Sequence, residues 1–178
     1  MNPTAAVAHL TPGNWAEANR FLVRKALAEF AHERLITPER LPDGRYRVRS
    51  DDGTVEYRFA ADVLTLEHWR IDPAGITRRR DGAELPLDAI DLCVELRRTL
   101  GIRDDMLPVY LEEITNTLAG LAYKLSRPRR TAAELADADF QAIESAMFEG
   151  HPCFVANSGR VGYGIDDHHR YAPEAAAP

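Results

Sequence analysis

The chain has 178 residues and a mass of 19.9 kDa, with 45% hydrophobic and 28% charged residues. These are the proportions of a globular domain able to bury a core without disulfide staples, which excludes a disordered chain or a disulfide-dense miniprotein. Its 22 basic and 28 acidic residues leave a net charge of −6, against a general nucleic-acid binder.

The first helix is predicted over 14–35, with Asn14 and Glu17 at capping-box spacing and Trp15, Ala18, Leu22, Ala26 and Phe30 on one stripe. Pro38 and Pro42 close it. A sheet follows over about 45–80. Tyr46 and Val48, then Val55, Tyr57 and Phe59, alternate with charged residues around the turn Ser50-Asp51-Asp52-Gly53-Thr54. A third strand is expected over 63–71 and a short fourth from Gly75. Helices return over about 86–148. One runs from Pro86 to Leu100 and ends at Gly101. A longer one over 107–126 carries Leu111, Ile114, Leu118, Leu121, Ala122 and Leu125 on one stripe. A last one, with Thr131 and Glu134 as capping box, is expected to bury Leu135, Phe140, Ile143 and Met147. The order helix, sheet, helices indicates one α+β domain over 1–178, with helices packed on a small antiparallel sheet.

No run of about 18 apolar residues marks a membrane span, and no basic start with an apolar centre marks a secretory signal. Cys93 and Cys153 lie far apart and read as free thiols in a reducing cytoplasm. All basic residues but Lys25 and Lys124 are arginine. The runs Arg78-Arg79-Arg80, Arg97-Arg98 and Arg127-Pro128-Arg129-Arg130 are either solvated loops or a surface for an anion or RNA.

Several familiar motifs are missing: no Gly-x-x-x-x-Gly-Lys-Ser/Thr loop, no His-Glu-x-x-His and no strand-linked Gly-x-Gly-x-x-Gly occurs. Glu112-Glu113 reads as a solvated helix face, and His9, His32 and His68 as isolated surface or packing residues. Asp166-Asp167-His168-His169 matches no defined ligand spacing, so no metal site is assigned. The dense stretch is 149–164, where Gly159, Gly162 and Gly164 follow Asn157-Ser158 and flank Arg160. Glycines let backbone N–H groups approach an anion, and the arginine fork matches phosphate or carboxylate. An anion-binding loop and an ordinary glycine-rich turn both fit. Cys153, between a proline and an aromatic, reads as a small packing residue.

The segment 149–174, including Tyr171-Ala172-Pro173-Glu174, resembles the N-terminal signature of the IucA/IucC family, the NRPS-independent siderophore synthetases. The likeness is to the alcaligin- and desferrioxamine-type branch. Gly150, His151, Pro152, Arg160, Gly162 and Tyr163 fall at the family's spacings. Phe154, Val155 and Ser158 replace a second His-Pro and a lysine that many members carry, which the resemblance reads as the hydroxamate subgroup. It implies an enzyme that uses ATP and Mg²⁺ to adenylate a carboxylate, then condenses it with an amine or hydroxylamine in hydroxamate siderophore biosynthesis. Asn157, Ser158, Gly159 and Arg160 would then meet phosphate oxygens or the activated carboxylate, and His151 would shape the pocket. No catalytic residue is assigned.

The family's members are several times longer and shaped like a cupped hand. The resemblance therefore implies a thumb-like N-terminal portion that lacks the remaining catalytic subdomains, is inactive alone, is cytoplasmic and is able to form a homodimer. Two other readings are a non-catalytic module that binds a partner through its long helix and, less favoured, an Arg-rich RNA-binding domain.

Overall fold

The computed structural model describes residues 7–146, 151, 153–156, 161–162, 167 and 170–171. Helix α1 spans Pro12–His32. Its cap is Thr11, whose hydroxyl accepts from the Asn14 N–H at 3.1 Å, and not Asn14 itself. Pro12 explains the shift, because a proline without N–H suits the first helical turn. Asn14 instead donates from its side chain to the His9 carbonyl at 3.0 Å. The helix also stops short of Leu35, because Arg34 turns to a positive φ of 60° and the Leu35 and Ile36 N–H groups fold back onto the Phe30 carbonyl. Ala18, Leu22, Val23, Ala26 and Leu27 are buried along α1.

The main sheet has five antiparallel strands in the order β1-β2-β3-β6-β7: Glu39–Arg40, Tyr46–Arg49, Val55–Phe59, Thr77–Arg80 and Ala83–Leu85. The expected hairpin is present, with Tyr46 opposite Phe59 and Val48 opposite Tyr57. Alternate residues Val55, Tyr57 and Phe59 turn into the core and are almost fully buried, as a period of two requires.

The strand expected over 63–71 is instead a separate hairpin, β4 Ala61–Val63 paired with β5 Trp69–Ile71. The chain reverses through a 3-10 turn at Thr65–Glu67, where Leu66 and Glu67 both take positive φ. A two-pronged ion pair from Arg34 to Glu67, both contacts at 2.9 Å, holds this tip against the end of α1. Trp69 meets Tyr46 edge-on at 4.8 Å and so packs the hairpin onto the sheet. The fourth strand starts at Thr77, because Pro73–Gly75 forms a 3-10 turn capped by the Asp72 side chain.

Helix α2 is shorter than expected. It covers Ala89–Glu95, and Asp88 caps it by accepting from the Ile90 and Asp91 N–H groups. Asn19, buried on α1, accepts from the Ala89 N–H at 2.8 Å and locks the two helices together. Helix α3, Leu107–Leu125, matches its expected span closely. Its Ile114, Leu118 and Ala122 are fully buried, and the helix packs against α1. Fully burying the Ile114 and Leu118 side chains contributes about 1.5–3 kcal/mol each. The buried Thr117 hydroxyl is satisfied by the Glu113 carbonyl at 2.8 Å.

The capping box Thr131–Glu134 is present, but it starts a four-residue helix, α4 Ala132–Leu135. A second helix, α5 Phe140–Ala146, follows with the Asp139 side chain accepting from the Ala142 N–H. The break separates apolar positions that one continuous helix would align. Phe140 is 76% exposed, Ile143 is exposed and Leu135 is half-buried, contrary to the expected burial; Met147 lies outside the described residues. The architecture is α+β: α1, α2 and α3 pack together, and α1 also meets the β4–β5 hairpin. No helix among the described residues is long and apolar enough to cross a membrane.

Candidate functional site

The motif loop is reached from α1. Lys25 is 95% buried on this helix, with 5% relative exposure. A buried ammonium needs hydrogen-bond partners, and Lys25 Nζ donates to the His151 carbonyl at 2.6 Å across 126 residues of sequence. Two further contacts shape the loop. The Cys153 N–H donates to His151 Nδ1 at 3.2 Å, which places the proton of a neutral imidazole on Nε2 and leaves that N–H as the ring's donor. The His151 ring also lies 4.7 Å from Phe154, tilted by 52°. Val155 then enters the core with 7% exposure, and Ala156 packs against it. The loop is thus pinned at a carbonyl by a charge and at a side chain by the core. His151, Cys153 and Phe154 remain on the outside.

Charge-assisted hydrogen bonds are the strong ones. Replacing Lys25 by Met keeps the packed stem and removes the donor. Amide exchange at Cys153–Ala156 is expected to accelerate by about tenfold or more, while Leu22 and Val23 in α1 stay slow. Hydrogen-exchange mass spectrometry checks this, and equal protection in the variant would show that Val155 alone holds the loop.

Of the residues expected to contact an anion, His151 is where this loop leaves the Lys25 tether; Asn157, Ser158, Gly159 and Arg160 lie outside the described residues. Gly162 takes a positive φ of 79°, the left-handed conformation for which a glycine is suited. Lys25 was not among the expected site residues. Its signal was compositional, as one of two lysines in a chain whose other basic residues are arginine.

Other expectations need correction. Cys153 is exposed and does not pack in the interior, whereas Cys93 is buried and burial pushes its thiol up to about 12. His32 and His68 are not isolated: their rings stack at 4.3 Å and 14°. His9 is buried and meets Tyr123 edge-on at 5.4 Å. Glu112 is exposed, as a solvated helix face requires, while Glu113 is half-buried. Asp166, His168 and His169 lie outside the described residues, among which no three His, Cys, Asp or Glu side chains gather to hold a metal.

The model of the IucA / IucC family matches residues 139–178, the portion that carries the motif loop. Putrebactin synthase of Shewanella sp. (strain MR-4) is 45% identical over 96% of this chain, which covers 27% of that protein. Aerobactin synthase of Vibrio mimicus is 38% identical over 90% of the chain and is likewise covered to 27%. Among solved structures, aerobactin synthetase IucC from a hypervirulent Klebsiella pneumoniae superposes with a TM-score of 0.80 at 31% identity. That match covers 92% of this chain and 29% of the synthetase. The chain thus spans little more than a quarter of the curated relatives it matches. By its loop motif, its sequence and its fold, the chain is similar to the N-terminal part of IucA/IucC family proteins.

Proposed function

We propose that this chain is the N-terminal, thumb-like portion of an ATP-dependent siderophore synthetase of the cytoplasm. In the proposed reaction a carboxylate oxygen attacks the α-phosphorus of ATP and pyrophosphate leaves. An amine or hydroxylamine nitrogen then attacks the acyl carbon, losing its proton as AMP departs, to give the amide or hydroxamate. The observation that carries this reading is the tethered loop: the chain's buried lysine holds the His151 carbonyl, in the segment where the family motif lies.

The role of the loop is to present Asn157, Ser158, Gly159 and Arg160 to phosphate oxygens or to the activated carboxylate. A guanidinium and backbone N–H groups held in place would stabilise the charge that develops during acyl transfer. Mg²⁺ supplies charge neutralisation on the phosphates when bound. By the resemblance, the subgroup residues Phe154, Val155 and Ser158 favour hydroxylamine substrates, and the 45% identity to putrebactin synthase supports a siderophore-forming role.

A stand-alone partner-binding module is less well supported. It was to use the apolar stripe of the long helix, but Ile114, Leu118 and Leu121 of α3 are already buried. RNA binding is weakened in the same way at two of the three arginine runs: Arg78 pairs with Asp91 and Glu95, Arg97 with Asp104, and Arg98 lies beside Asp51.

The purified 178-residue chain alone is expected to form no hydroxamate or amide from ATP, a carboxylate and a diamine or hydroxylamine. Product detection by mass spectrometry checks this. ATP-dependent product from this chain by itself would contradict the thumb-like assignment.

A further inference from the structure

We propose that the tip of the β4–β5 hairpin is an apolar anchor that docks into a pocket on the remainder of the synthetase polypeptide. The proposal rests on the reading of this chain as one portion of a longer enzyme. The tip reverses the usual polarity of a surface turn. Leu66 is 78% exposed, and Val63 and Leu64 of the same tip are exposed with it, as is Leu35 just past α1. Glu67 and His68 point back at the end of α1 instead. Arg34 donates two 2.9 Å bonds to the Glu67 carboxylate, and the His32 ring stacks on that of His68 at 4.3 Å. The Leu64 N–H donates to the His68 carbonyl at 2.8 Å and closes the turn.

This arrangement is held against local preference. Leu66 takes a φ of 60° and Glu67 one of 59°, a left-handed backbone that turns ordinarily fill with glycine or asparagine. Arg34, which grips Glu67, has a φ of 60° as well. Strained residues of this kind persist only where the surrounding structure over-determines them, and they cluster at functional sites. Here the ion pair and the imidazole stack hold the backbone, and the result is a leucine fixed in solvent. An exposed apolar cluster marks an interaction surface. One that is already rigid loses little freedom on docking.

Size selects the occupant. Four exposed aliphatic side chains on a projecting tip fall short of the roughly 800 Å² per partner that a stable interface between separate molecules buries. A second copy of the chain is therefore a poor fit. A partner on the same backbone needs less area, because linkage raises its effective concentration to the order of millimolar. The chain spans 27% of putrebactin synthase and 29% of the aerobactin synthetase structure. In proteins of that length, nearly three quarters of the polypeptide lies outside this segment and can supply the pocket.

Maleimide labelling of Leu66→Cys tests the anchor, with the rate read on the peptide that carries position 66 so that Cys153 is not counted. The 178-residue chain is compared with the polypeptide that carries this segment together with the rest of the family's architecture. Labelling is expected to be about tenfold slower, or more, in the longer protein. Val63→Cys, on the same tip, carries the comparison if Leu66→Cys does not fold. Equal rates in the two proteins would overturn the proposal. So would protection that grows with the concentration of the 178-residue chain, which would name a second copy as the occupant. Pyrophosphate exchange by the unmodified longer protein separates the anchor from the proposed reaction. Exchange with equal labelling rates sinks the anchor alone, and slow labelling without exchange sinks the reaction alone.

Discussion

Replacing Glu95 by alanine is expected to lower the unfolding free energy by about 3–5 kcal/mol, the cost of removing one member of a buried ionic network. Glu95 sits at the end of α2 with its side chain 11% exposed and ties that helix to the sheet. One carboxylate oxygen accepts the hydroxyl of Tyr57, a fully buried residue in the middle of β3. The other accepts from Arg78 on the neighbouring strand β6, a residue with 5% exposure. Arg78 also reaches Asp91 at 2.9 Å and the Pro86 carbonyl at 3.1 Å. Removal of Glu95 strands a buried hydroxyl and leaves the buried guanidinium with the more exposed Asp91. Burial, helped by the adjacent carboxylate, pushes the Tyr57 phenol far above its ordinary range, so it remains a donor. Glu95→Gln keeps an acceptor and loses the charge, and is expected to fall between wild type and Glu95→Ala. Urea denaturation with the same slope for all three proteins measures the difference. A loss below about 1 kcal/mol for Glu95→Ala would mean that the network adds no more than an exposed ion pair.

This network also shows where sequence patterning reached its limit. Alternation around Tyr57 placed β3 and its inward face correctly, because a half-buried strand imposes a period of two. The same reasoning left Arg78-Arg79-Arg80 in solvent, since a run of like charges carries no alternation. Its first position gives away nothing either: the strand turns Arg78 inward because a carboxylate from α2 is waiting there, a partner 17 residues away. The strand expected over 63–71 failed for a different reason. Its reversal depends on positive φ at Leu66 and Glu67 and on Arg34 gripping the tip, and neither a leucine nor a glutamate signals a turn. Residues 107–125 were legible because helix α3 needs only its own stripe and a flat partner.

The site was legible in part. Residue spacing in 149–164 was enough to suggest the family, and Gly162 takes the left-handed backbone for which glycine is suited. What spacing could not show is that α1 reaches the loop, because the Lys25 to His151 bond joins residues far apart in sequence. The exposed surfaces of Phe140 and Phe154 were unreadable for a related reason. An apolar residue in a sequence announces that it will be covered but not by what.

The proposed anion role rests most directly on Arg160. Carboxylate-dependent exchange of pyrophosphate into ATP isolates the first chemical step, and it is measured in the polypeptide that carries this segment together with the rest of the family's architecture. Arg160→Ala is expected to lower that exchange by about 100-fold per folded molecule, the usual cost of removing one donor aimed at developing charge. Exchange that survives unchanged, or that falls only as far as the amount of folded protein falls, would contradict it.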